Sequence, residues 1–315
     1  MARSLSLNLS RLRERASRPA QFDANERTLV SPLELRSPAK RAAYWLVFGA
    51  LVALTITTLF PIYWMYSGAL KDTSELIRMP PTLLPAQARW ENYLKAWDNL
   101  NYTRYFANTL ILAFGALVIQ LVVSTSAAFS LSKLKPAGGR LVLFLFLSTL
   151  MVPSMAYLIP AYLTVVSLPI VNIPLIDTWW GVWLPGAASA FNIFVLKSFF
   201  DEIPQDLIDA ANIDGAGAAR ILAQIMIPLS RPVLAVVSIF TLIGAWKDFF
   251  WPFLVLSKVE LQPIMVALWR LSARMQEPLN LIIAGLAIAS TPPIILFLIF
   301  QKQIIRGITL TGLKG

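Results

Sequence analysis

Residues 106–131 read FANTLILAFGALVIQLVVSTSAAFSL, a run without a single Asp, Glu, Lys or Arg. It exceeds the roughly 20 residues that an α-helix needs to cross the hydrocarbon core of a bilayer. Backbone groups in lipid find no water, so a run of this length must bond internally as a helix; a barrel strand would instead show about ten residues of alternation. Five further apolar blocks lie on either side, at about 43–66, 141–163, 179–200, 232–257 and 280–301. The expected fold class is therefore an all-α membrane protein with six transmembrane helices.

Composition agrees. Hydrophobic residues make up 57% of the chain and charged residues only 14%, about half the share usual in soluble proteins. Cysteine and histidine are absent, which removes disulfides, thiolate metal sites, thiol nucleophiles and the commonest general base. No metal site and no catalytic residue are expected. The net charge of +10 does not point to nucleic acid, because the basic residues sit at the ends of apolar blocks and form no stripe or aromatic-interleaved patch.

Their placement sets the topology, since positive loops stay in the cytoplasm. Residues 1–42 hold nine basic residues (Arg3, Arg11, Arg13, Arg15, Arg18, Arg27, Arg36, Lys40 and Arg41). The connection between the second and third blocks adds Lys133, Lys135 and Arg140, whereas 164–178 holds Asp177 and no Lys or Arg. With six spans both termini fall on the cytoplasmic side. The segment 67–105 is external by parity, with Tyr63, Trp64 and Tyr66 suited to the interface at its entrance. The domain reading is a basic cytoplasmic tail over 1–42, a membrane domain over 43–303 and a cytoplasmic tail over 304–315. The Arg- and Ser-rich start also resembles a mitochondrial transit peptide, but no short apolar core or small-residue cleavage site precedes the first span, so an uncleaved tail near anionic lipid is expected.

The most informative connection is 201–231, DEIPQDLIDAANIDGAGAARILAQIMIPLSR, on the cytoplasmic side by the same count. Pro204 suits a first helical turn, Asp206 and Asp209 suit its positive end, and Leu207, Ala210 and Ala211 share a face. Asp214-Gly215 supplies a turn. A second helix is expected from about Ala218 to Ile225, with Pro228 and Pro232 resetting the chain for the next span. Alanines beside a turn glycine make a low knob suited to a groove on another protein.

This loop resembles the EAA loop of ABC importer permeases: an acid, two alanines, a glycine four residues on and an apolar ending before proline. Asp209, Ala210, Ala211, Gly215, Ile225, Ile227 and Pro228 stand at the matching positions. Asp209 departs from the usual glutamate and shortens its reach by one methylene; Ile227 replaces leucine. The stretches from Leu70 (LKDTSELIRMPPTLLPAQARWENYLKAW), from Ile159 (IPAYLTVVSLPIVNIPLIDTWWGVWLP) and from Arg306 (RGITLTGLKG) are similar to the maltose-type carbohydrate permeases, over about 43–315. The resemblance implies a type I ABC importer permease fold, one of two permease subunits in a heterodimer, two ATPase subunits that bind ATP and Mg, an external sugar-binding protein, and a multi-pass place in the bacterial inner membrane. It implies that the loop forms the coupling contact with the ATPase, and that Thr309, Thr311, Gly312 and Lys314 form a second one. In that subfamily the sugar is held mainly by the other permease subunit.

No GxxxxGK[ST] phosphate loop occurs in the chain, so ATP chemistry falls to partners. Within the fifth block, Lys247-Asp248 in GAWKDFFWPF is the conspicuous charged pair, and charge inside a span is a functional candidate by default. Trp246, Lys247, Asp248 and Trp251 read as pathway lining; the competing reading puts Lys247 and the tryptophans in an interfacial belt. Asn192 reads equally as pathway or as polar glue between helices. Two rival classes are an ion-gradient-driven transporter or channel, which calls for inverted repeats or paired broken helices, and a membrane enzyme, which calls for clustered catalytic groups. Neither explains residues 209–228.

Overall fold

The computed structural model describes residues 37–99, 101–273 and 277–312, with side chains described up to 302. Most of the expected basic tail therefore lies outside the described residues. The rest forms helices and loops that divide into two units between Ile62 and Tyr63.

Helix α1, Pro38–Ala69, contains this division. Up to Ile62 its side chains stand exposed, including Trp45, Leu46 and Leu54, as suits a surface solvated by lipid. Its hydroxyls do not go unpaired: Thr55, Thr57 and Thr58 donate to the carbonyls of Leu51, Ala53 and Leu54 at 2.8, 2.9 and 2.8 Å.

From Tyr63 onward, the end of α1 is fastened by polar contacts. Ser67 Oγ and Tyr63 OH both donate to Leu83 O at 2.8 Å, and Asn92 Nδ2 bonds Ala69 O and Lys71 O. Lys71 is buried, donates to Thr82 O and lies over the Trp64 ring, so its charge is shared between a carbonyl and a π face. Helix α2, Glu91–Asn99, follows.

Helix α3, Tyr102–Phe129, continues through a π-helical turn at Ser130–Leu134 and forms the centre of the second unit. Helix α4, Gly139–Thr149, and α5, Leu158–Val166, come next, then the short α6, Trp179–Trp183, and α7, Ala190–Glu202. The segment after α7 contributes α8, Gln205–Ile213, and α9, Ala218–Ile221. The chain closes with α10, Arg231–Lys247; α11, Phe250–Val255; α12, Ile264–Ala273; and α13, Leu279–Gly312.

Among the described residues three helices are long and apolar enough to cross a membrane: Pro38–Ala69, Tyr102–Leu134 and Leu279–Lys302. Two bent pairs bring the count to five, and the six expected spans are compatible with this pattern without being fixed by it. The other three blocks are not single helices. Block 141–163 breaks by 104° before Pro153, whose missing N–H and ring stop α4 from running on. Block 179–200 divides around Pro185-Gly186, and α7 starts where Ser189 Oγ accepts the Asn192 N–H. Block 232–257 breaks at Asp248-Phe249, three residues before Pro252, which then occupies the first turn of α11 where no donor is needed.

Three buried clusters run along the bundle. One gathers Phe129, Leu196, Phe200, Ile208, Met226 and Val237 around α8 and the helical arm that follows it. A second joins Leu112 to Val165, Leu175 and Val255. The third, at the Tyr102 end of α3, sets Ala284, Ala287 and Ala289 of α13 against Tyr102, Tyr105 and Leu268. Small residues on α13 let the helices approach closely, which is how helices associate where lipid supplies no hydrophobic drive.

Candidate functional site: a helical loop and a cavity between helices

The loop after α7 is built from its caps inward. Ile203 ends α7 in extended backbone and Pro204 sets up α8, with Asp206 at the electropositive first turn. Ile208 and Ala211, one helical turn apart, are buried against Phe200 and Met226. Of the three residues expected to share a face, Leu207 and Ala210 stand exposed, whereas Ala211 is buried on the stripe through Ile208. Asp206, Leu207, Asp209, Ala210 and Ile213 are left exposed, Ile213 at 87%. Asp209 accepts a bond from Gln205 Nε2 at 3.1 Å.

Gly215 closes α8. Its φ of +77° lies in the left-handed region, and the bonds Gly215 N to Asn212 O and Ala216 N to Ala211 O complete a Schellman cap. The second arm runs further than expected. After α9 the helix does not stop near Ile225 but widens into a π turn, Leu222–Met226, and continues through Ile227–Leu229. Ile227 N–H bonds back to Leu222 O, and Pro228, which has no N–H to give, fits at the start of the last helical piece. Ile225 and Ile227 are half-buried and Pro228 is exposed. The arm then bends 86° at Ser230 into α10.

The loop is tied to the bundle by charge. Ser132 Oγ donates to Asp201 Oδ1 at 2.6 Å, Lys197 Nζ pairs with Asp201 Oδ2 at 2.7 Å, and Lys133 Nζ donates to Ile203 O at 2.6 Å. The π turn of α3 thus grips both flanks of the α7–α8 junction. Of the expected C-terminal contact residues, Thr309, Thr311 and Gly312 lie on the helical backbone of α13, and Lys314 lies outside the described residues.

Midway along α3 a cavity of about 830 Å³ opens between α3, α7, α10 and α11. Asn192, Lys247, Asp248 and Trp251 line it, while Trp246 does not. The Trp246 ring is 5% exposed, donates its N–H to Ala289 O at 3.0 Å and packs edge-on against Phe106, so it belongs to the core. Asp248 follows the last residue of α10 in extended backbone, at the break before α11.

Sequence reasoning missed Gln120, Thr241 and Trp183. Asn192 Nδ2 donates to Gln120 Oε1 at 3.0 Å and to Thr241 Oγ1 at 3.3 Å, and Thr241 donates to Gln120 Oε1 at 3.1 Å. Three helices thereby meet in a closed polar triangle. Trp183 reaches the cavity because Gly115 has no side chain: a Cβ there would lie 2.2 Å from the indole.

An apolar helical bundle with a wide cavity, a few polar side chains on its wall and a built helical loop fits a membrane permease. The comparisons with known proteins are specific about the kind. Residues 120–310 match the family of binding-protein-dependent transport system inner membrane components. The arabinooligosaccharides transport system permease protein AraQ of Bacillus subtilis is 31% identical over 265 residues, covering 83% of this chain and 92% of that protein. The sn-glycerol-3-phosphate transport system permease protein UgpE of Yersinia pestis is 28% identical over 82% of this chain and 93% of its own length. Among solved structures, a chain of a bacterial ABC transporter involved in import of the acidic polysaccharide alginate superposes with a TM-score of 0.74 at 25% identity, covering 84% of this chain and 98% of that one. The chain belongs to the family of binding-protein-dependent transport system inner membrane components and is the transmembrane permease subunit of such an importer.

Proposed function

We propose that the chain forms one half of the pathway of an ATP-driven oligosaccharide importer in a bacterial inner membrane, as one member of a permease heterodimer. Two ATPase subunits bind the ATP and Mg, an external binding protein delivers the sugar, and both termini of this chain face the cytoplasm. The domain limits 1–42, 43–303 and 304–315, with the coupling loop at 201–231, go with this reading. The observation that carries it is the exposed side of α8: Leu207, Ala210 and Ile213 stand out beside Asp206 and Asp209 on a helix whose opposite face is packed. Such a side fits a groove on a partner. The oligosaccharide substrate is supported by the names of the relatives, AraQ foremost.

The test is co-purification. Ile213→Asp places a charge at an exposed position and leaves the packed face of α8 untouched. We expect this variant to insert and to hold its partner permease, but to retain at least about tenfold less ATPase than wild type, the loss produced by about 1.4 kcal/mol at a contact. Equal recovery of ATPase would contradict the docking role of α8.

A further inference from the structure

We propose that this chain carries its own carbohydrate subsite in the cavity beside α3, taking an uncharged sugar unit on its way through the membrane. The inference rests on the importer reading above and departs from the expectation that the sugar is held mainly by the partner permease. Four features of the cavity point to it.

First, the triangle of Gln120, Asn192 and Thr241 leaves Gln120 Nε2 and Asn192 Oδ1 without protein partners among the described residues. A donor beside an acceptor is the pair that reads a hydroxyl, which both gives and accepts a hydrogen bond.

Second, the aromatic wall is prearranged. Trp183 Nε1 donates to Leu112 O and Trp251 Nε1 to Gly181 O, each at 3.1 Å, so both indoles are fixed and their faces, not their N–H groups, are what they offer. Gly115 gives up any side chain to seat Trp183. Flat apolar faces beside hydroxyl-reading groups suit a sugar ring, whose C–H face is apolar and whose rim is polar.

Third, Lys247 and Asp248 both line the cavity, and neither makes an ion pair among the described residues. One ammonium and one carboxylate sum to zero, so the site has no net charge with which to prefer an anion. They add a strong donor and a strong acceptor for further hydroxyls.

Fourth, about 830 Å³ falls in the range of small-molecule sites, roughly 300–1,000 Å³, so the space admits a sugar unit with its waters.

The experiment uses the complete transporter in nanodiscs. Because the chain has no cysteine, Gly244→Cys is a unique reporter, and its Cβ meets nothing within 4 Å on the cavity wall. Arabinotriose, maltotriose, diacetylchitobiose and glycerol 3-phosphate are first tried, each with the cognate binding protein, for stimulation of ATP hydrolysis. The compound that stimulates is then added without binding protein, and N-ethylmaleimide labelling of this chain is followed by mass. We expect a neutral sugar to slow labelling about tenfold at roughly ten times its Kd, and Trp251→Ala or Gln120→Leu to restore the unprotected rate. Should Gly244→Cys not assemble, the sugar-induced change in tryptophan emission, present in the parent and absent in Trp251→Phe, reads the same occupancy. Stimulation of hydrolysis by a sugar that neither slows labelling nor changes emission overturns the subsite and leaves the importer reading intact. Stimulation by glycerol 3-phosphate alone, or by none of the four, overturns the sugar reading and the subsite with it.

Discussion

Gly215 and Gly115 are required for different reasons, and each supports a prediction. At Gly215 the backbone needs φ of +77°, so Gly215→Ala adds about 1 kcal/mol of strain to a cap that holds α8 in place, although a Cβ there would touch nothing. Faster amide exchange in 205–216, with the rest of the bundle unchanged, is the expected outcome. At Gly115 the backbone is helical and the space is taken, so Gly115→Ala pushes Trp183 out of the cavity wall. Transport should fall more than assembly, with a shifted tryptophan emission; normal transport would show that Trp183 is not part of the pathway. The turn at Gly215 between two helical arms was legible because the spacing of turn and capping residues along one segment is what the sequence displays. Ala211 departs from the face it was expected to share with Leu207 and Ala210 because neighbouring stripes both carry apolar residues, and only the packing of Ile208 on Phe200 and Met226 decides between them. Gln120 and Thr241 gave no signal, since each is a lone polar residue in an apolar run and the fold alone brings them to Asn192.

At the scale of elements, helices break where proline and capping residues make a break cheap. Pro153, Pro185 and Pro252 were visible in the sequence, yet a hydrophobic block reads the same whether it is one helix or two, so the breaks at 150–153, 184–189 and 248–249 were not legible from hydropathy. The brace between the π turn of α3 and the α7–α8 junction has a clear test. Asp201→Ala removes the acceptor of both Ser132 and Lys197, and it should raise ATP hydrolysis per sugar moved by loosening the loop from the bundle. An unchanged ratio would mean that the loop is held by its buried cluster alone. In the segment 72–89 the Glu75 carboxyl is held below its ordinary value chiefly by the Thr82 hydroxyl, helped by the Ala86 N–H and opposed by desolvation. A lowered folded value means that the stabilisation is complete above about 4.5 and is lost as the pH falls through that value and then through the folded one. Amide exchange in 73–86 should therefore quicken under acid beyond the intrinsic change, and Glu75→Gln should remove that dependence.

For the whole molecule, the residues of α1 up to Ile62 are exposed and apolar, whereas the chain from Tyr63 onward packs as a bundle. Membrane class and helical content were legible because bilayer thickness sets the length of apolar runs, a constraint that acts on composition. The cavity was not legible, because it arises between helices far apart in sequence. The exposed face of α8 and the cavity beside α3 lie in one chain, and in the function proposed above ATP hydrolysis by partners, transmitted through α8, drives solute through this subunit. The most direct measurement is uptake of radiolabelled oligosaccharide into proteoliposomes that contain the purified complex, with ATP on the side of the coupling loop, binding protein on the other side, and ionophores present to collapse every ion gradient. The account predicts uptake that continues with the ionophores, stops without ATP or binding protein, and falls in Ile213→Asp. Uptake that persists without ATP and disappears with the ionophores would contradict it.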